Sequence, residues 1–237
     1  MWTFIECGPW SRWTCELIAP WPHGFFTRKA PQRAPHLLAG ALGLRGPASM
    51  LKQIHSAVVQ SAPVAPDVQG DALYTQRTGE SVWVCSADCA PILIADPNSG
   101  LVAAIHAGWR GTAQGVLKHT VAALEARGAR GADLRCAIGP AISGRVYQVA
   151  EEVAAQVTRM IPEAALALFD DPQPGRVRLD VREANRQQAV ACGIPAGQVA
   201  LCPVCTFEES EWLYSYRREG AGSVQYSGIG PLSDQSG

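Results

Sequence analysis

Two histidines and one cysteine, His55, Cys89 and His106, offer the donor atoms in this chain best suited to chemistry. Two imidazoles and a thiolate suit a zinc ion with a vacant fourth position, because catalytic zinc sites combine three protein ligands with water. Copper also accepts Cys and His. The three residues lie in separate segments, so spacing does not choose between a metal centre and a nucleophile–base pair of Cys89 and His106. Arg28, Arg110 and Arg217 are candidate anion holders, since a guanidinium meets phosphate or carboxylate oxygens through paired hydrogen bonds. Cys202-Pro-Val-Cys205 is a single CxxC without the second pair a four-sulfur site requires, and it reads as packing. The glycine-rich His106-Ala-Gly-Trp-Arg-Gly segment matches neither a Walker loop nor a dinucleotide fingerprint, which argues against nucleoside triphosphates and NAD.

The elements that must position these groups centre on Val82–Gly115. Apolar runs at Val82–Cys85, Ile92–Ala95 and Leu101–Ile105, punctuated by Pro and Gly, predict three strands. Asp88, Cys89, His106 and Arg110 then fall at strand ends and in connections, where function is usually displayed. Val116, Leu117, Val121 and Leu124 recur at helical spacing, so Ala113–Ala126 predicts a helix. Gly108, Gly111 and Gly115 bring the backbone close to a neighbour where that helix starts.

The whole chain sets wider bounds. Its 237 residues, 47% of them hydrophobic, suffice for one domain with a substantial core. The expected division is a single domain over residues 1–237: a core of about 14–227, an extension at 1–13 and a flexible tail at 228–237. A net charge of -1 gives no electrostatic argument for nucleic acid or an anionic membrane. The start lacks the basic and apolar regions of a signal peptide, and no apolar run is long enough to span a bilayer. Eight cysteines without a secretory signal read as thiols. The expected setting is the cytoplasm, and the expected state a monomer.

In chain order, Thr14–Ala19 predicts a first strand, Trp21–Gly24 a turn into Phe25-Phe26, and His36–Ala41 a short helix. Leu51–Val59 reads as a strand carrying Gln53 and His55. Leu134–Ile138 predicts a strand, Val149–Met160 a helix, and Pro162–Gly175 a loop with a helical turn at Ala164–Phe169. Asp180 is a suitable N-cap with Glu183 placed for a capping box. That helix ends at Cys192-Gly193, where glycine suits a left-handed cap. Val199–Cys202 and Tyr214–Arg217 read as the final strands. In such a strand Arg217 and Arg218 would point to opposite faces. Strands and helices alternate without a regular βαβ period, so a mixed α/β fold with helices packed on mixed sheets is expected.

Lys52-Gln53-Ile54-His55, Ala87-Asp88-Cys89-Ala90-Pro91, His106-Ala107-Gly108-Trp109-Arg110-Gly111, Ile138-Gly139-Pro140 and Ser215-Tyr216-Arg217-Arg218 occur in that order. Together, over about Gly24–Tyr226, they resemble the YfiH-like family, once called multicopper polyphenol oxidoreductase or laccase, whose members are described as purine nucleoside phosphorylases. The resemblance implies a layered α/β domain likened to bacterial toxin cysteine hydrolases. It places the metal-binding and catalytic trio on His55, Cys89 and His106. It also implies phosphorolysis of purine nucleosides, including methylthioadenosine, and deamination of adenosine. Two features depart from the family pattern: Lys29–Pro47 is short and lacks the usual glycine-rich and Ser-Leu-Asn-Leu-Gly-type loop, and Ala141 stands where Cys is common. The alternatives to a nucleoside phosphorylase are a copper-dependent polyphenol oxidase, a cofactor-free cysteine hydrolase with Cys89 as nucleophile, and a non-enzymatic binding partner. Five histidines are too few for several copper centres, and zinc content separates the first reading from the hydrolase.

Overall fold

The computed structural model describes residues 1–32 and 34–232. In chain order its strands are β1 (Trp2–Ile5), β2 (Arg12–Cys15), β3 (His23–Phe26), β4 (Ala48–Met50), β5 (Val59–Ser61), β6 (Ala72–Thr75), β7 (Ser81–Ser86), β8 (Ala90–Ala95), β9 (Val102–Ala107), β10 (Arg135–Ile138), β11 (Gln148–Ala150), β12 (Leu168–Asp170), β13 (Arg176–Leu179), β14 (Val199–Leu201) and β15 (Gln225–Ile229). The helices are α1 (Pro35–Ala41), α2 (Trp109–Gln114), α3 (Val116–Glu125), α4 (Glu151–Met160), α5 (Val181–Ala191) and α6 (Tyr216–Glu219).

Two six-stranded mixed sheets form the body, ordered β1-β2-β3-β15-β7-β4 and β14-β10-β8-β9-β6-β5, with a small sheet β11-β13-β12 beside them. The period-two alternation of strands explains the layering. Leu93 and Ala95 of β8, with Val102 and Ala104 of β9, meet Val82 and Val84 of β7 between the two large sheets. Ile92, Ile94, Ala103 and Ile105 face the other way, against Val116, Leu117, Val121 and Leu124 of α3. Trp83 and Phe26 pack beneath α1 on the outer face of the first sheet. Strands covered on both faces must be apolar throughout, which is why these runs read as continuous rather than alternating. The mixed α/β architecture expected from the sequence is the one observed.

Several local expectations change. Residues 1–13 are not an extension: β1 pairs antiparallel with β2 and completes an edge of the first sheet. The tail expected from Gly228 begins inside β15, where Ser227–Ile229 pair with β3 on one side and Gln225–Ile229 pair with β7 on the other; its last residues, 233–237, lie outside the described residues. A Cβ at Gly228 would stand 2.3 Å from the Trp83 ring, so that glycine seats the indole rather than loosening a tail. The strand expected over Leu51–Val59 is a loop at His55, between β4 and β5. The central helix is two helices, because Gly115 takes a left-handed conformation (φ +79°) and separates α2 from α3. Tyr214–Arg217 is not a strand; Ser215 caps α6, accepting a hydrogen bond from the Arg218 amide. Asp180 caps α5 as expected, accepting from the amides of Arg182 and Glu183. No helix among the described residues is long and apolar enough to cross a membrane.

Candidate active site

Strand pairing brings the trio together. β8 and β9 form a hairpin in which Pro91 stands opposite His106 and Ala90 opposite Ala107. Cys89, just before β8, therefore arrives beside Gly108, just after β9. A Cβ at Gly108 would lie 2.6 Å from the Cys89 sulfur and 3.4 Å from His55 Cδ2, so only glycine leaves room for both side chains.

His55 comes from a loop and is held by Asp71. β6 pairs antiparallel with β9, with Ala72 opposite Ile105, and the ladder continues one residue further: the His106 amide donates to the Asp71 carbonyl at 2.7 Å. The Asp71 side chain, fully buried, then collects donors from two directions. Oδ1 accepts from the His55 amide and faces Nδ1 of His106, both at 2.9 Å. Oδ2 accepts from the Ser56 amide at 2.6 Å and its hydroxyl at 2.7 Å, and from the Ile54 amide at 3.3 Å. These bonds support the left-handed backbone of His55 (φ +58°), an uncommon conformation for a residue with a Cβ. The two imidazoles meet edge to face, with centroids 4.9 Å apart.

The donor atoms of His55, Cys89 and His106 lie within 4.8 Å of one another, the one such cluster of three among the described residues. Metal–ligand bonds of about 2.0–2.3 Å separate tetrahedral donors by roughly 3.3–3.8 Å, so modest inward movement closes this set on an ion. Asp71 occupies Nδ1 of His106, which leaves Nε2 for the cluster, the carboxylate–histidine arrangement seen behind zinc ligands. The residues present fit a zinc-type ion. In the metal-free protein the electrostatics favour the Cys89 thiolate that a metal or a nucleophile needs, with His106 as its protonated partner. Burial opposes a charge on Cys89, but His106 and His55 outweigh it and push the thiol down; burial likewise opposes a charge on His106, but Cys89 and Asp71 push the imidazole up. Nearby Cys85 goes the other way: burial, assisted by Cys89, pushes its thiol up to about 11.

The trio lines a pocket of about 630 Å³ together with Gln53, Tyr147, Arg110 and Arg217. Arg217 is fixed there by two 3.1 Å bonds to the Gln148 carbonyl and by the Tyr147 ring, 5.0 Å from its guanidinium carbon. Arg110 lies over Trp109 at 4.3 Å. Arg28, expected to join them, is instead bonded to the Ser210 carbonyl and Glu219 and covers Tyr214; it does not line the pocket. Arg218 is turned to the carbonyls of Thr206, Phe207 and Leu213.

Sequence reasoning missed Asp71 and Tyr147. A lone Asp after Gly70, at the start of the apolar run Ala72-Leu73-Tyr74, was the available signal for the first. Tyr147 carried none. Asp88 also proves structural: with φ +88° it accepts from Thr206, Ser215 and the Arg217 amide, tying the segment that carries Arg217 to the hairpin beside Cys89. Cys202 and Cys205 are both buried, and Cys205 accepts from the Ser143 amide, as plain packing requires.

The chain is similar throughout to a purine nucleoside phosphorylase of Synechocystis sp., at 39% identity over 96% of both chains. Over 67% of its length it is 34% identical to an adenosine deaminase, RL5, from an unknown prokaryotic organism, covering 61% of that protein. The crystal structure of YlmD from Geobacillus stearothermophilus superposes with a TM-score of 0.87 at 29% identity, covering 97% of this chain and 98% of that one. Residues 28–229 match the model of the family described as multi-copper polyphenol oxidoreductase laccase, and the chain belongs to that family.

Proposed function

We propose that this protein cleaves the N-glycosidic bond of purine nucleosides with phosphate, releasing the free base and ribose 1-phosphate, and that the same pocket deaminates adenosine. The observation that carries the reading is the buried Asp71–His106 pair behind a His-Cys-His donor set, opening on a pocket with two guanidinium groups. The relatives named for phosphorolysis and for deamination support both halves.

Breaking the bond develops positive charge on the ribose and negative charge on the departing purine, and the pocket has groups for each. Arg110 and Arg217 attract and orient phosphate, the anion that attacks the sugar. The Tyr147 hydroxyl has no hydrogen-bond partner among the described residues, and burial, with Cys89 adding to it, holds it protonated up to about 12. It is the neutral donor on the pocket wall for the purine. A zinc ion held by His55, Cys89 and His106 would lower the pKa of a water towards about 7, the chemistry that deamination requires. Asp71 keeps His106 in one orientation for that role. Zinc is proposed over copper, methylthioadenosine is a further substrate under this reading, and the protein acts as a cytoplasmic monomer.

Product analysis tests the reading. With phosphate, adenosine should give adenine and ribose 1-phosphate; without phosphate it should give inosine, and chelation should stop inosine formation. Adenosine left unchanged by zinc-loaded protein under both conditions would refute it.

One other reading has a specific observation behind it. Cys89, His106 and Asp71 also form the nucleophile, base and orienting carboxylate of a cysteine hydrolase. A covalent acyl adduct on Cys89, with full activity after chelation, would favour it. Oxidation by several copper ions draws no support from the donors: His23 has one ring nitrogen bonded to the Cys15 amide and the other against the Trp21 carbonyl.

A further inference from the structure

A second cleft, of about 370 Å³, opens between α2 and α4. Its volume is in the range of small-molecule sites, about 300–1,000 Å³. The apolar part is Trp109, which packs on the Val149–Val157–Leu179 cluster, and Met160. The polar part is Arg110, Arg159, Gln114 and Gln156, with no carboxylate among the residues lining it. Both arginines are exposed, and neither guanidinium makes an ion pair or hydrogen bond with another described residue; that of Arg110 lies over the Trp109 ring. Two guanidinium groups without counter-charges beside an apolar surface match a ligand with one apolar ring and one strongly anionic end.

The cleft also touches the first pocket. Trp109 and Arg110 line both, and the Gln114 side chain donates to the His55 carbonyl at 3.3 Å. An occupant would therefore hold the arginine proposed for phosphate and a side chain that braces a metal-ligand loop.

We propose that the α2–α4 cleft is a separate binding site for a purine nucleoside diphosphate, the base against Trp109 and Met160 and the phosphates between Arg110 and Arg159. Occupancy slows turnover in the neighbouring pocket by restraining Arg110. The site rests on its own residues and is measured by binding, so its failure and failure of the nucleoside reaction are read separately.

Calorimetric titration of zinc-loaded protein with ADP is the test, with pyrophosphate as a parallel ligand. Arg159 lines only this cleft among the two pockets. Arg159→Gln should weaken ADP about tenfold or more, the loss of one charge-assisted pair, and leave adenosine turnover in the absence of ADP unchanged. ADP should bind more tightly than pyrophosphate, and its inhibition of adenosine turnover should be non-competitive. No ADP binding, equal ADP affinity in wild type and Arg159→Gln, equal affinity for ADP and pyrophosphate, or inhibition purely competitive with adenosine would each overturn the proposal.

Discussion

Oδ1 of Asp71 stands 2.9 Å from Nδ1 of His106. The same carboxylate also accepts three consecutive backbone amides and a hydroxyl from the loop carrying His55. One buried side chain thus aligns two of the three candidate metal ligands. An Asn at this position has a single acceptor oxygen for those donors and turns an NH2 group towards the others. Asp71→Asn should weaken zinc binding about 10–100-fold, the usual cost of losing a partner behind a ligand. Competition against a chromophoric chelator measures it; an affinity within a factor of about two of wild type would remove Asp71 from this role.

The same residue predicts a pH dependence. Burial would raise the Asp71 carboxyl, but the bonds from His106 and Ser56 outweigh it and hold it down to about 2, from an ordinary 3.8. A depressed carboxyl contributes stability above its unfolded pKa and loses it as pH falls through the folded one. In chelator-treated protein the contribution, about 2 kcal/mol, should disappear between roughly pH 4 and pH 2. Urea unfolding across that range should show the stability gap between wild type and Asp71→Asn closing as pH falls. Parallel curves would contradict the assignment.

Cys85 and Cys89 should separate cleanly. With His106 and His55 favouring its thiolate, Cys89 of the chelator-treated protein should be alkylated by iodoacetamide at pH 7 well before Cys85, whose thiol burial pushes up to about 11. Zinc should protect Cys89. Cys89→Ser should abolish most adenosine turnover, while Cys85→Ser costs only a modest packing loss. Peptide mapping by mass spectrometry reads the first result, and equal labelling of both thiols would count against the site.

Gly108→Ala tests the close approach of the hairpin. Its backbone is extended (φ -76°, ψ 172°), so conformation alone does not demand glycine. The added methyl would overlap the Cys89 sulfur. Overpacking of this kind costs about 1–3 kcal/mol. The sharper consequence should be loss of bound zinc, measured by metal analysis after gel filtration. Full zinc content in a folded Gly108→Ala protein would show that the trio tolerates displacement.

The arginines divide by what already holds them. Arg110 and Arg217 line the pocket, whereas Arg28 is paired with Glu219 and Ser210. Arg217→Lys and Arg110→Lys should raise the KM for phosphate more than that for nucleoside, with deamination less affected. Arg28→Lys should leave both constants near wild type. Steady-state kinetics of the two reactions decide; an equal fall in both for Arg217→Lys would make it a structural or nucleoside-holding residue.

Much of this organisation follows from local chemistry. The three central strands were legible because burial on both faces demands uninterrupted apolar runs at Val82–Cys85, Ile92–Ala95 and Leu101–Ile105. Asp180 and Gly193 mark α5 because capping depends on a side chain and a positive φ at fixed offsets. His55, Cys89 and His106 stood out as donor types, and the family resemblance implied that they share one site. What the sequence could not display were relationships set by pairing at a distance. Asp71 meets His106 because β6 joins β9, a contact between residues 35 apart in the chain. Tyr216–Glu219 became a helix because Asp88 and the Ser215 cap hold its first turn, overriding the strand reading of Tyr214–Arg217. Arg28 and Arg217 look alike in sequence. Only the folded chain, by giving one a carboxylate partner and the other a pocket wall, decided which of them faces the site.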